Sequence, residues 1–147
     1  MKSTLRFTIL GLSVIYLLFA TPACSHFSAC GNIEKTRVSF DEGSCRILSP
    51  AQEILRQLAE KMRASPECRV IVIGNAGGSK PGAQLSWERV QSVIEHMSET
   101  SNIDRNRFIF IYDGHAENNS VTLESAELND DRPSTVPAPY PVGNVCR

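Results

Sequence analysis

Three groupings in the sequence have side chains able to do chemistry: the glycine-rich run GNAGGSK at 74–80, the serine and histidine of LSWERVQSVIEH at 85–96, and five cysteines. A phosphate-cradling loop needs Gly-x-x-x-x-Gly-Lys-Ser/Thr, so that backbone N–H groups surround the phosphates. Counted from Gly74, Ser79 stands where the second glycine belongs, and Pro81 after Lys80 removes a donor where the helix should open. Nucleotide binding is therefore not expected. Acyl transfer needs a nucleophile, a base and an orienting acid within hydrogen-bond reach. Ser86 and His96 are separated by about three turns of one helix, while Asp113 and His115 flank a turn glycine and no motif links the four. The sequence predicts a protein that is not an enzyme and uses no cofactor.

The cysteines are Cys24, Cys30, Cys45, Cys68 and Cys146. None stand at C-x-x-C spacing and the three histidines are scattered, so no metal site is expected. So many cysteines in a small domain suit an oxidising compartment. The N-terminus, MKSTLRFTILGLSVIYLLFATPAC, puts Lys2 and Arg6 ahead of an apolar run from Phe7 to Ala20. That is the order of a secretory signal peptide, and the run falls short of the roughly 20 apolar residues of a spanning helix. Ala23 followed by Cys24 resembles the lipoprotein junction of bacteria, which implies acylation of Cys24 and a tether to the outer membrane from the periplasmic side. Four cysteines then remain, Cys30, Cys45, Cys68 and Cys146, and three pairings are open to them. Loss of the leader takes two of the 15 basic residues, leaving 13 against 16 acidic ones. This balance excludes a nucleic-acid partner.

The elements that must position these groups follow from periodicity. TRVSF at 36–40 alternates and reads as a first strand. Ser49, Pro50 and Gln52 form an N-cap, a first-turn proline and a capping-box partner. Ile54, Leu55, Leu58, Ala59 and Met62 then make one helical stripe. CRVIVIG at 68–74 is a strand covered on its faces, central in its sheet. The glycine-rich segment GNAGGSKPGA at 74–83 forces a loop, and a second amphipathic helix is expected from Leu85 to about Glu99 through Val90, Val93, Ile94 and Met97. RFIFIY at 107–112 is a third strand, and SVTLES at 120–125 is a last strand, expected at an edge. Pro133, Pro137, Pro139 and Pro141 favour an extended tail, which Cys146 would staple back to the body. The expected organisation is a signal peptide at 1–23, a linker at 24–35, one domain at 36–129 and a proline-rich tail at 130–147. The order β-α-β-α-β-β gives an α/β layer fold, with helices packed on a mixed sheet of about four strands.

Over roughly Val38 to Glu124 these pieces resemble the OmpA-like peptidoglycan-binding domain, a two-layer α/β sandwich. SFDEGSCRILSPAQEILRQLAEKM is similar to that family's first strand, its loop with a buried aromatic and its proline-started helix. VIVIGNAGG sits at the strand that runs into Gly-His-Thr-Asp, and LSWERVQSVIEHM is similar to the Leu-Ser-x-x-Arg-Ala-x-x-Val helix opening. The resemblance implies a ligand: the diaminopimelate of the peptidoglycan stem peptide, whose carboxylate meets the arginine and whose ammonium meets the aspartate. Arg89 occupies the arginine's position, and a planar guanidinium offers a carboxylate two parallel donors. A site near a helix N-terminus would add the positive end of the dipole. Gly77 falls at the aspartate's place, so the ammonium is left to Asn75 and to Asp113.

Two functions are thus expected. The first is a periplasmic module, anchored in the outer membrane through Cys24, that binds peptidoglycan with Arg89 as carboxylate anchor. The other is a structural component of an envelope assembly, such as a secretion, conjugation or pilus system, that keeps the fold for protein partners. The plain alternative for Arg89 is a surface residue pairing with Glu88 or Glu95, and Trp87 reads as a packing residue.

Overall fold

The computed structural model describes residues 30, 33–75, 79–113, 119–126, 130 and 146. The expected leader, Cys24, Gly77, His115 and the tail apart from Asp130 and Cys146 lie outside the described residues.

The chain runs β1 (Thr36–Ser39), α1 (Ser49–Ala64), β2 (Val70–Asn75), α2 (Lys80–Ser101), a 3-10 turn at Arg105–Arg107, β3 (Phe108–Asp113) and β4 (Ser120–Ser125). The expected β-α-β-α-β-β order is the observed one. The sheet order is β1-β4-β2-β3, with β2 and β3 parallel and β4 antiparallel to both of its neighbours. β2 is central, as its apolar run suggested. β4, expected at an edge, is central too: it pairs with β1 through Val38↔Val121 and with β2 through Val72↔Leu123. The alternation of SVTLES records one apolar face but cannot tell which of its hydrogen-bonding edges are occupied.

Alternation in VIVI divides β2 between two faces. Val70 and Val72 turn towards the helices, where they join Val38, Val121 and Leu123 from the sheet, Leu55, Leu58 and Met62 from α1, and Val90, Val93 and Met97 from α2. Ile71 and Ile109 form a smaller cluster with Ala126, packed by Ile73 and Ile111. Each fully buried side chain of this kind is worth about 1.5–3 kcal/mol, so this core is what binds the layers. No helix among the described residues is long and apolar enough to cross a membrane.

Both helix starts differ from expectation. α1 begins at Ser49 with Leu48 as N-cap, and no side chain caps it. The Gln52 side chain donates to the Ile47 carbonyl at 3.3 Å rather than closing a capping box. α2 begins at Lys80, five residues before the expected start, because the Ser79 hydroxyl accepts the Gly82 N–H at 3.2 Å and Pro81 sits in the first turn, where no donor is needed. Its far end closes on Asn102, whose left-handed φ of 53° makes it the C-cap.

Two arrangements fix where the helices lie on the sheet. Gly74 of β2 faces Ser86, and a Cβ added there would stand 2.5 Å from Ser86 Oγ and 3.1 Å from Val90 Cγ2. Only glycine lets the helix approach the strand this closely. At the other end, Arg107 donates to the carbonyls of Met62 (2.7 Å), Ser65 (2.7 Å) and Cys68 (2.8 Å), tying the C-terminus of α1 to the start of β2. A guanidinium there satisfies orphan carbonyls and complements the helix dipole.

Candidate functional site around Arg89

Arg89 lies about two and a half turns into α2, beyond the first turn in which the dipole acts. The early start of the helix therefore removes the dipole contribution expected for this position. Arg89 is only 2% exposed, which rules out the plain alternative of a surface residue. Its Nε donates to the Ser44 carbonyl at 2.8 Å, Nη2 to the Asp41 carbonyl at 2.9 Å and Nη1 to Asn119 Oδ1 at 3.0 Å. The guanidinium carbon sits 5.2 Å from the centroid of the buried Phe40 ring, in cation–π range.

All three acceptors are neutral oxygens. Burial accordingly pulls the Arg89 pKa down from its usual value, although an arginine stays charged at any physiological pH. The acidic neighbours are engaged elsewhere. Glu88 accepts from Gln84 Nε2 and from the Cys146 N–H, both at 2.9 Å, while Glu95 faces Arg105 at 3.4 Å.

The acceptors come from the loop between β1 and α1 and from the residue before β4. That loop turns at Gly43, in the left-handed region at φ 67°, with the Ser44 N–H donating to the Asp41 carbonyl at 3.1 Å. The Phe40 N–H donates to the Asn119 carbonyl at 2.8 Å, which joins the two acceptor segments. Sequence reasoning missed Asp41, Ser44 and Asn119. The first two act through backbone carbonyls, which no side-chain pattern reveals, and no motif marks Asn119 as the partner of an arginine.

The other expected site residues are placed differently. Asn75 is buried at the end of β2, donating through Nδ2 to Ser120 Oγ and Thr122 Oγ1, each at 3.2 Å. It is thereby committed across the β2–β4 pair, and Asn119, not Asn75, meets Arg89. Asp113 is the register partner of Asn75 on β3, with its side chain exposed. Trp87 points to a groove of about 290 Å³ lined with Val90, Ile94, Arg105 and Phe110, and takes no part in the Arg89 cage.

The cysteine pairing that sequence left open is Cys30–Cys68 and Cys45–Cys146. The second bond joins the acceptor loop to residue 146. Cys45, Cys146 and Glu88 have ligand atoms within 4.8 Å of one another. With both sulfurs in a disulfide this group offers no thiolate to a metal. Ser86 is 1% exposed and its hydroxyl lies under Gly74, out of reach of any substrate.

A four-stranded mixed sheet in this order, with two helices packed on one face, is the OmpA-like fold. No protein-family model matches the sequence, and no curated protein is recognisably similar to it. Solved structures do match. The OmpA-like domain of FopA1 from Francisella tularensis subsp. tularensis SCHU S4 superposes with a TM-score of 0.54 at 18% identity, over 63% of this chain and 72% of that one. The peptidoglycan-associated lipoprotein from Burkholderia pseudomallei gives a TM-score of 0.54 at 19% identity, over 61% of this chain and 89% of that one. An outer membrane protein from Borrelia burgdorferi B31 gives 0.53 at 16% identity, over 65% and 87%. At these identities the likeness is one of fold.

Proposed function

We propose that this chain is a non-enzymatic module of the bacterial cell envelope, exported to the periplasm and tethered to the outer membrane through Cys24, which keeps an OmpA-like fold for contacts with other envelope proteins. One observation carries this reading: Arg89 is enclosed and donates to oxygens of the domain itself, as an internal strut would. A carboxylate bound side-on needs the Nε–H, which Ser44 takes, and the guanidinium is almost wholly covered. Asn75, the other group that could have met a zwitterion, is used in joining β2 to β4. Both residues serve the fold.

A second reading has its own support. Arg89 is a desolvated cation whose acceptors are all neutral, and buried charges are ordinarily paired. One N–H on each terminal nitrogen is left over by these bonds, the number an end-on carboxylate takes. On that reading the ligand is the diaminopimelate carboxylate of the peptidoglycan stem peptide, and Asp113 offers the ammonium its partner.

Sedimentation with purified sacculi at moderate salt, comparing wild type with Arg89→Lys, tests the two. Wild type that stays in the supernatant supports the protein-contact reading. Wild type that sediments, with sedimentation lost in a folded Arg89→Lys variant, overturns it in favour of peptidoglycan binding. Cross-linking in intact cells that captures no envelope protein would also count against the first reading.

A further inference from the structure

Glu88 and Arg89 are neighbours on α2, and each grips one side of the same covalent bond. Arg89 holds the carbonyls of Asp41 and Ser44, the latter adjacent to Cys45. Cys45 is bonded to Cys146, whose backbone N–H donates to Glu88 Oε2 at 2.9 Å. The other Glu88 oxygen accepts from Gln84, which fixes the carboxylate in place. The contacts close a ring from Arg89 through the loop, the disulfide and Glu88 back to Arg89.

We propose that the Cys45–Cys146 disulfide is a lock on this ring: closed, it holds the 40–45 loop over the Arg89 guanidinium, and its reduction by a dithiol uncovers Arg89. The physical reason is coupling. Two weak attachments to adjacent residues, joined covalently, present each other at high effective concentration, so that a loop leaving one is returned by the other. Once the link is cut, the attachment at Glu88 no longer restrains the loop, which can open locally.

The two disulfides differ in access. Cys30 and Cys68 are 3% and 0% exposed, whereas Cys146 is only half-buried. Exchange requires a thiolate to reach a sulfur, so the outer bond is the one a reductant meets first. One thiolate of the dithiol attacks Cys146 Sγ and displaces Cys45 as thiolate. The second then closes the reductant's own disulfide and releases Cys146. Two electrons pass to the protein, and protonation leaves two thiols.

The lock holds whatever meets Arg89, and the test does not depend on a ligand. Full-length protein in detergent is treated with phenylglyoxal, an arginine reagent, and modification is followed by peptide mass spectrometry in wild type and in Cys45→Ser/Cys146→Ser. Arg107, bound to three backbone carbonyls in a different corner of the fold, is the internal reference. Arg89 is expected to react roughly tenfold faster in the variant, with Arg107 unchanged, as local opening of one loop requires. Unchanged Arg89 reactivity would overturn the inference. So would an equal rise at Arg107, which would make the bond a general staple of the domain.

If the double variant does not fold, wild type is briefly exposed to dithiothreitol and alkylated. Molecules alkylated only at Cys45 and Cys146 are then scored in the same way and with the same two outcomes. Sacculus sedimentation of the opened protein separates the lock from the ligand. Faster Arg89 modification without sedimentation leaves the lock standing and removes the peptidoglycan reading.

Discussion

Gly74 of β2 and Ser86 of α2 meet so closely that a Cβ at position 74 would lie 2.5 Å from the serine hydroxyl oxygen. The contact sets how deeply α2 sits on the sheet, three residues before Arg89. The hydroxyl is buried and has no hydrogen-bond partner among the described residues, so the close approach comes with a desolvated polar group.

Gly74→Ala should therefore destabilise the fold by about 1–3 kcal/mol, the usual cost of overpacking. Ser86→Ala removes the unpaired hydroxyl and should be neutral or mildly stabilising. Combined, the two should recover more than about 0.5 kcal/mol relative to their sum, as expected for residues in contact. Urea unfolding of the four proteins provides the cycle, and strict additivity would show that the Gly74 contact does not limit packing.

Arg89→Ala leaves the Asp41 and Ser44 carbonyls and Asn119 Oδ1 without their donor. A loss of about 2–4 kcal/mol is expected from the removal of hydrogen bonds to a charged group. Arg89→Lys keeps the charge on a single nitrogen that cannot span three acceptors, so it should recover only part of this. A thermal melt of Arg89→Ala within a degree or two of wild type would mean that the arginine is not a strut.

Asn75→Ala removes both hydrogen bonds to Ser120 and Thr122. It should cost about 1–2 kcal/mol at roughly 1 kcal/mol per buried neutral bond. Sedimentation with sacculi should not change. Reduced sedimentation in a variant with unaltered stability would instead make Asn75 a ligand contact.

On the exposed face of α1, Arg56 bonds Glu53 through Nε (2.8 Å) and Nη2 (2.6 Å) and also pairs with Glu60. The Arg56 hydrogen bond is the main reason that the Glu53 pKa falls from 4.5 to about 2, with help from Gln57. A carboxylate depressed in the folded state contributes fully above its ordinary pKa, and that contribution fades as pH drops from 4.5 towards 2. Because the network is exposed and screened, its effect on stability should be small and weaker in high salt. A carboxyl NMR titration should put the Glu53 midpoint below those of isolated glutamates, with Arg56→Gln restoring it. An ordinary midpoint in wild type would refute the pairing.

The fold was legible wherever local chemistry and periodicity agreed. The apolar stripe of α1, the β-branched run of β2 and the apolar positions of α2 marked their elements, because burial on one face leaves a period in the sequence. The start of α2 was misplaced because Gly82 and Pro81 read as loop formers. Capping by Ser79 and a proline in the first turn make them acceptable in a helix.

The sequence by itself determined the order of elements, the two-layer α/β class and a cysteine count fit for two cross-links. All of these depend on residue type and spacing along the chain. The tertiary structure alone decided that β4 lies inside the sheet, that Cys45 pairs with Cys146, and that Arg89 is enclosed. Strand order depends on which backbone edges meet, and disulfide pairing on which sulfurs are brought together from 101 residues apart. The partners of Arg89 include two main-chain carbonyls, which every residue possesses, so only the path of the chain could select those of Asp41 and Ser44.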